Sequence, residues 1–400
     1  MSKLEGIRSI DELSLAHQRV LIRVDFNVAL NQGEPPNQRI AAALPTIRRA
    51  ISDGARVILA SHLGRPLGQR RSELSLDRAG EQLAELLGQE VYLPDECIGD
   101  AARKVVSDLR GGQVCLLENL RFFPEEARND ESFARKLAAL CDVYVNDAFG
   151  CSHRAHASIA TLPRLVQERG MGYGLKAELE ALSRIAGAAE RPFVAILGGA
   201  MTADKLELID ALLLRCSAIC FGGSLANTLL AARGVDMKES LFERELLALG
   251  RALLGRARDR NVEFVLPEDS VVAEDAASAE GRVVGIGSLP DQHGAFDIGP
   301  RTLAAFAARL ATAKTVFWDG ALGLIENPAF SGGTLGVLRA LADSAAFSVV
   351  RAQEAAVLAK TNPDLVAKLG FISSGGSASL QLIEGKKLPG IEALRGSRAS

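Results

Sequence analysis

The sequence predicts an α/β protein: two doubly wound, parallel-sheet (Rossmann-like) lobes joined by a long interdomain helix. Three observations carry this. Short runs rich in Val, Ile and Phe alternate with segments of helical period; the runs are apolar throughout, as strands covered on both faces must be; and they form two series around one amphipathic segment. The first series is Val20–Val24, Val57–Ala60, Val91–Leu93, Val114–Leu117 and Val143–Val145. In the separating segment Leu175, Leu179, Leu182 and Ile185 recur every three or four residues between Lys176, Glu178, Glu180 and Arg184, which predicts a helix with one apolar stripe. The second series is Phe193–Leu197, Ile219–Phe221, Val262–Leu266, Thr315–Trp318 and Phe347–Val350. These runs place a first domain over 1–173, a connecting helix over 174–188 and a second domain over 189–389, with no Gly/Ser-rich or Pro-rich linker between them.

At 400 residues, 48% hydrophobic and 24% charged, the chain has material for two cores. A formal charge of -3 offers no bulk attraction to nucleic acid or to an anionic membrane, and neither is an expected partner. Lys3, Glu5, Arg8, Asp11 and Glu12 leave no apolar signal-peptide region near the start, and no apolar run reaches the ~18 residues of a membrane span. The six cysteines form no C-x-x-C pair; Cys216 and Cys220 stand four apart, but next to a strand. Buried packing thiols in a cytoplasmic monomer are the expectation.

In open parallel sheets ligands bind beyond the carboxyl ends of the strands. In the first half those positions hold Asp25 and Asn27, then Ser61-His62-Leu63-Gly64-Arg65-Pro66, then Glu118-Asn119-Leu120-Arg121, then Asn146 to Gly150 followed by His153-Arg154-Ala155-His156. Arg65, Arg121 and Arg154 thus converge with imidazoles on one sheet edge. This suits a small, multiply charged anion, because guanidinium forks bind phosphate and carboxylate through paired, charge-assisted hydrogen bonds. Singly, each arginine also reads as a surface charge or a loop brace, and His153 with His156 as a metal pair, though one without Cys or Glu partners. In the second half Gly198-Gly199-Ala200 and Gly222-Gly223-Ser224 follow strands and lead into helices. Backbone N–H groups there can face phosphates, or the glycines can simply make tight turns. No P-loop, protein-kinase set or dinucleotide fingerprint is present.

The ordered strings RVDFNV (Arg23–Val28), SHLGRP (Ser61–Pro66), LLENLRF (Leu116–Phe122), VNDAFG with HRAH (Val145–His156), ADK (Ala203–Lys205) and LPG (Leu388–Gly390) resemble the phosphoglycerate kinase family, from about Val20 through Leu394. The resemblance implies a first domain that binds 3-phosphoglycerate, with the chain end, about 390–400, folded back on it. It implies a second domain that binds ATP or ADP with Mg²⁺, and reversible phosphoryl transfer between nucleotide and 3-phosphoglycerate or 1,3-bisphosphoglycerate in glycolysis, after the lobes close. Asp25, Asn27, Arg39, His62, Arg65, Arg121 and Arg154 would then contact the 3-phosphoglycerate, the triose phosphate lying on Arg65, Arg121 and Arg154. Arg39 and Lys205 would be catalytic. Gly199, Ala200, Lys205, Gly222, Gly223 and Glu326 would bind the nucleotide, Glu326 at the ribose. Arg39 sits in a variant stretch, Gly33 to Ile40, where the family usually shows an aspartate two residues before the arginine and this chain has Asn37.

Three further departures fall where nucleotide phosphates would lie. The family's G-G-A-K is Gly198-Gly199-Ala200-Met201, its W-N-G-P is Trp318-Asp319-Gly320-Ala321, and its G-G-G-D-[ST] is Arg351-Ala352-Gln353-Glu354-Ala355. A neutral thioether replaces a cation, a carboxylate is added to the phosphate path, and side chains fill a turn whose backbone approaches phosphate. Ser373 to Ser379 differs modestly from S-T-G-G-G-A-S. Arg351 would supply charge in place of the lysine and Glu354 would stand in for the aspartate as a metal ligand, with no other metal ligand assigned. Two functions follow: a phosphoglycerate kinase impaired by a degenerate nucleotide site, or a catalytically inactive paralogue that binds triose phosphate as a regulatory protein.

Overall fold

The computed structural model describes residues 4–27 and 38–396. Val28 of the first motif, the variant positions 33–37 and residues 397–400 of the chain end lie outside the described residues. The chain divides into two units, Met1–Glu180 with Lys386–Ser400, and Ala181–Gly385.

In the first unit β1 (Arg19–Arg23), β2 (Arg56–Ala60), β3 (Val91–Tyr92), β4 (Val114–Leu116), β5 (Val143–Asn146) and β6 (Glu168–Met171) form one parallel sheet in the order β3-β4-β2-β1-β5-β6. Val20 lies in register with Val57 on one side and Val143 on the other. Val20, Ile22, Val57 and Leu59 pack with Ile40 and Ile47 of the helix Gln38–Ser52, while Leu21 and Ile58 alternate with them and are equally inaccessible. Burial on both faces is why these strands carry no polar alternation. The residues of β6, Glu168-Arg169-Gly170-Met171, make no apolar run; beyond β5 this edge strand meets only an isolated bridge at Ser9 and needs none.

In the second unit β7 (Phe193–Leu197), β8 (Ala218–Phe221) and β9 (Glu263–Val265) join β13 (Thr315–Asp319), β14 (Phe347–Arg351) and β15 (Phe371–Ser373), all parallel, in the order β15-β14-β13-β7-β8-β9. The sequence reading omitted β15 and a small antiparallel sheet of β10 (Asp269–Ala273), β11 (Arg282–Gly285) and β12 (Gly294–Ile298). These strands mix Asp, Arg and Gly with apolar residues and leave Val283 exposed, so neither a continuous run nor a clean alternation marks them.

The separating helix spans Tyr173–Ala186, and the boundary between the units falls inside it. Leu175, Leu179, Leu182 and Ile185 are fully buried, as the stripe predicts. Its first turn is fastened to the first unit: Tyr173 N–H donates to Thr46 Oγ1 (2.9 Å) and Leu175 N–H to Asp147 Oδ1 (3.0 Å). In the last turn the Arg184 guanidinium stacks 3.6 Å over the Phe347 ring of the second unit. The chain end contributes Leu388, Ile391 and Leu394, all buried in the first unit, and Gly390 N–H donates to Ser152 O (2.9 Å) in the loop after β5. All six cysteines are buried and carry no disulfide. Among the described residues no helix is long and apolar enough to cross a membrane.

Candidate active site

In each sheet the winding reverses beside the first strand, between β1 and β5 in one unit and between β7 and β13 in the other. A crevice opens at the carboxyl ends of such a pair, since the connections leave in opposite directions. His62, Arg121 and Arg154 gather at the first place, and Lys205 with Gly199, Gly222 and Gly223 at the second.

Around the first crevice much of the motif chemistry is bracing. Asn27 Oδ1 accepts from Gly64 N–H (2.8 Å), Gly64 O accepts from Arg121 Nη1 (2.7 Å), and Phe26 N–H donates to Ser61 Oγ (2.9 Å), which together set the loop after β2. Asn119 Nδ2 donates to Leu63 O (2.8 Å) and Leu74 O (2.9 Å), and Glu118 accepts from Ser75 Oγ (2.9 Å) and Leu76 N–H (3.0 Å). Arg39 pairs with Asp25 Oδ2 (2.6 Å). Arg65 is exposed, Arg121 half-buried, and Arg154 Nε lies 3.2 Å from His153 Nε2.

One residue of this cluster was not singled out from the sequence. Arg23, last in β1, is buried; its Nε donates to Ser158 Oγ (3.0 Å), its Nη1 to Val24 O, and its Nη2 lies 3.2 Å from His62 Nδ1. Ser158 Oγ in turn donates to buried Glu126 Oε1 (2.6 Å). The signal was present: an arginine closing an otherwise apolar strand needs buried partners.

The field of this cluster is positive. Burial, then Arg154 and Arg23, brings Arg121 down to about 10, still charged at neutral pH. Burial, then Arg121, Arg23 and Arg154, lowers His156 to about 4. Burial and the same arginines hold His62 well below the usual imidazole range. Asp25, His62 and Cys151 place ligand atoms within 4.8 Å of one another, the one such three-residue cluster among the described residues. Asp25 is engaged by Arg39, the His62 Nδ1 lone pair by Arg23, and burial raises the Cys151 thiol to about 11, so the cluster suits an anion, not a metal. His153 and His156 belong to no three-ligand cluster among the described residues.

At the second crevice the glycines do something other than expected. Gly198 N–H donates to Asp319 O, Gly199 N–H to Ala321 O, Gly222 N–H to Leu197 O and Gly223 N–H to Leu322 O, each at 2.9 Å. Those donors are spent inside the fold, so Gly199, Gly222 and Gly223 shape the crevice through close backbone approach and not as open N–H groups. A Cβ on Gly198 would sit 2.0 Å from Ala321 O; one on Gly223, whose φ is +64°, would sit 2.6 Å from Gly199 N.

Lys205, in the first turn of the helix Ala203–Leu212, is buried; its Nζ donates to Gly198 O (2.6 Å) and Asp319 O (2.9 Å) and lies 3.1 Å from Asp319 Oδ2. Arg351 Nη1 pairs with Asp319 Oδ1 (2.7 Å). Asp319, expected to add a negative charge near the phosphate path, is 1% exposed and held between these two cations. A carboxylate removed from water demands that pairing. Met201 is buried, so its thioether packs inward. Ala200 and Glu326 are exposed. The segment expected as a side-chain-filled turn is the end of β14 and the start of a helix, Ala352–Ala359, capped by Arg351. In its first turn burial, then Asp319, raises the Glu354 carboxyl, and Glu354 Oε2 is buried without a hydrogen-bond partner.

The family description "Phosphoglycerate kinase" matches residues 10–386. The chain belongs to the phosphoglycerate kinase family. A phosphoglycerate kinase of Anaeromyxobacter sp. (strain Fw109-5) is 49% identical over 396 residues, covering 98% of this chain and 100% of that protein; one of Moorella thermoacetica is 45% identical, covering 96% and 98%. Among solved structures, phosphoglycerate kinase from Coxiella burnetii aligns with a TM-score of 0.88 at 36% identity over 97% of this chain and 98% of that one. The phosphoglycerate kinase from Pyrococcus horikoshii OT3 aligns with a TM-score of 0.81 at 29% identity over 96% and 98%. Both units, with both clusters, lie within the region shared with these phosphoglycerate kinases.

Proposed function

We propose that the protein transfers a phosphoryl group reversibly between ATP and 3-phosphoglycerate, yielding ADP and 1,3-bisphosphoglycerate, a glycolytic step. The observation that carries this is the gathering of Arg23, Arg121 and Arg154 around neutral His62 at the first switch point, in a chain similar to phosphoglycerate kinases over 98% of its length. Arg65, Arg121 and Arg154 hold the triose phosphate, while Arg39, oriented by Asp25, neutralises the substrate carboxylate. A carboxylate oxygen attacks the γ-phosphorus as its bond to the ADP oxygen breaks. Such transfer is catalysed by positioning and charge neutralisation, not by proton chemistry.

In the second unit Gly199, Ala200, Gly222 and Gly223 frame the nucleotide, Glu326 meets the ribose, and Lys205 holds the two strand ends in place. Glu354, with a buried oxygen lacking a partner, fits a hard cation that takes one or two carboxylates and its remaining ligands from phosphates; Mg²⁺ there would neutralise phosphate charge. Both nearby cations face the buried Asp319, and Met201 supplies no charge, so we place the weakness of this enzyme at the nucleotide phosphates.

Two measurements test this. Calorimetry is expected to show 3-phosphoglycerate binding without nucleotide, weakened by about 1.5–3 kcal/mol in Arg121→Ala, the scale of a hydrogen bond to a charged group; unchanged affinity would remove Arg121 from the site. A coupled assay with Mg-ATP and 3-phosphoglycerate is expected to give turnover below the ~10 s⁻¹ median of enzymes, raised in Met201→Lys. No turnover in either protein would overturn the assignment, and a wild-type rate near the median would overturn the weakness.

A further inference from the structure

His62 faces Arg23 through Nδ1 at 3.2 Å. A guanidinium has donors only and is always charged, so the nitrogen it meets must present a lone pair. Nδ1 is therefore unprotonated, and the single proton of the neutral ring sits on Nε2. An imidazolium would set N–H against N–H and two cations side by side in a site where His62 is 3% and Arg23 1% exposed. The remaining surroundings push the same way. Arg121, Arg154 and His156 oppose a charge on the ring. The acids nearby are engaged elsewhere: Asp25 with Arg39, and Glu126 with Ser158, which itself accepts from Arg23. Cys151, 3.9 Å from Nδ1, stays a thiol.

We propose that Arg23 is a positioning residue that locks His62 as a neutral imidazole protonated on Nε2, giving the first-unit site a hydrogen-bond donor that does not change with pH across the neutral range. Nδ1 being taken, Nε2–H is the group left to meet an anionic substrate oxygen. Glu126 and Ser158 hold Arg23 in register, and the positive charge stays on the arginines, where it does not titrate. The inference rests on reading the first unit as the 3-phosphoglycerate site, but the tautomer itself is measurable in the ligand-free protein.

The test is long-range ¹H–¹⁵N NMR of the full chain labelled in its five histidines, with His62 assigned by its loss in His62→Gln. The His62 ring is expected to show a bare Nδ1 and a protonated Nε2, unchanged from about pH 5.5 to 8, where an ordinary imidazole near 6.5 would titrate. A proton on Nδ1, or titration within that window, overturns the proposal. In Arg23→Met the ring is expected to mix tautomers; Arg23→Lys, which restores a charged donor, is expected to return it to the Nε2–H form. A ring that behaves alike in wild type and a folded Arg23→Met removes Arg23 from the role. If Arg23→Met does not fold, the wild-type ring and Arg23→Lys decide. Adding 3-phosphoglycerate is expected to shift Nε2 more than Nδ1. Calorimetric binding without that shift overturns the donor role, whereas absence of any binding overturns the substrate assignment and leaves the tautomer result standing.

Discussion

Lys205→Met is expected to destabilise the second unit by up to about 3–5 kcal/mol, the cost of removing one partner from a buried ion pair. Lys205 Nζ donates to Gly198 O and Asp319 O, and its charge lies 3.1 Å from Asp319 Oδ2, all at the switch point between β7 and β13. The methionine would strand Gly198 O, take one of two donors from Asp319 O, which keeps Gly198 N–H, and leave Arg351 alone to balance an acid that is 1% exposed. Trp318, the single tryptophan, is fully buried in β13 and donates from Nε1 to Gly320 O (2.9 Å), so its fluorescence during urea unfolding reports this unit directly. Asp319→Asn in the same chain removes the charge that needed balancing and is expected to recover at least ~1 kcal/mol, as contacting residues do not add independently. A loss below about 1 kcal/mol in Lys205→Met, or strictly additive variants, would show that the ammonium does not hold these strand ends together.

Stability of the second unit is expected to fall as pH rises from about 4 to about 7, by roughly 4 kcal/mol, through Asp297. Asp297, in β12, is 5% exposed, and burial pushes its carboxyl up to about 7 although it accepts from Ile298 N–H (2.9 Å) and Gly333 N–H (2.7 Å). The folded state therefore holds a proton that the unfolded chain releases near pH 4. The stabilisation is complete below that value and is lost as pH rises through the folded value. Glu354, also raised by burial, acts in the same sense. In the first unit the groups oppose one another: Asp147, raised to about 6 by burial, favours low pH, while His62 and His156, lowered by burial, favour high pH. The Trp318 transition should thus move with pH more than that of the three tyrosines, Tyr92, Tyr144 and Tyr173, which all lie in the first unit. Asp297→Asn is expected to abolish most of the slope even if it lowers stability throughout. A slope unchanged in that variant would assign the titration to another group.

The sequence by itself determined the class of fold and put the candidate residues just beyond strand ends. Continuous apolar runs such as Val57–Ala60 specify strands buried on both faces, and polar strings just after them fall at strand ends because parallel strands all finish on one edge. The helix from Tyr173 was legible because its stripe is long and periodic. Strands at sheet edges and in the antiparallel sheet were not, since partial burial leaves no pattern strong enough to read. Only the tertiary structure decided which polar groups are spent within the fold. Gly199, Gly222 and Gly223 looked like open donors and are hydrogen-bonded to the carbonyls of Ala321, Leu197 and Leu322; Asp319 looked like an added charge in the phosphate path and lies between Lys205 and Arg351; Arg23 looked like no more than the end of a strand and meets His62. The reason is physical: a side chain's charge is written in the sequence, but its balance depends on burial and on partners dozens of residues away, such as the 114 between Lys205 and Asp319.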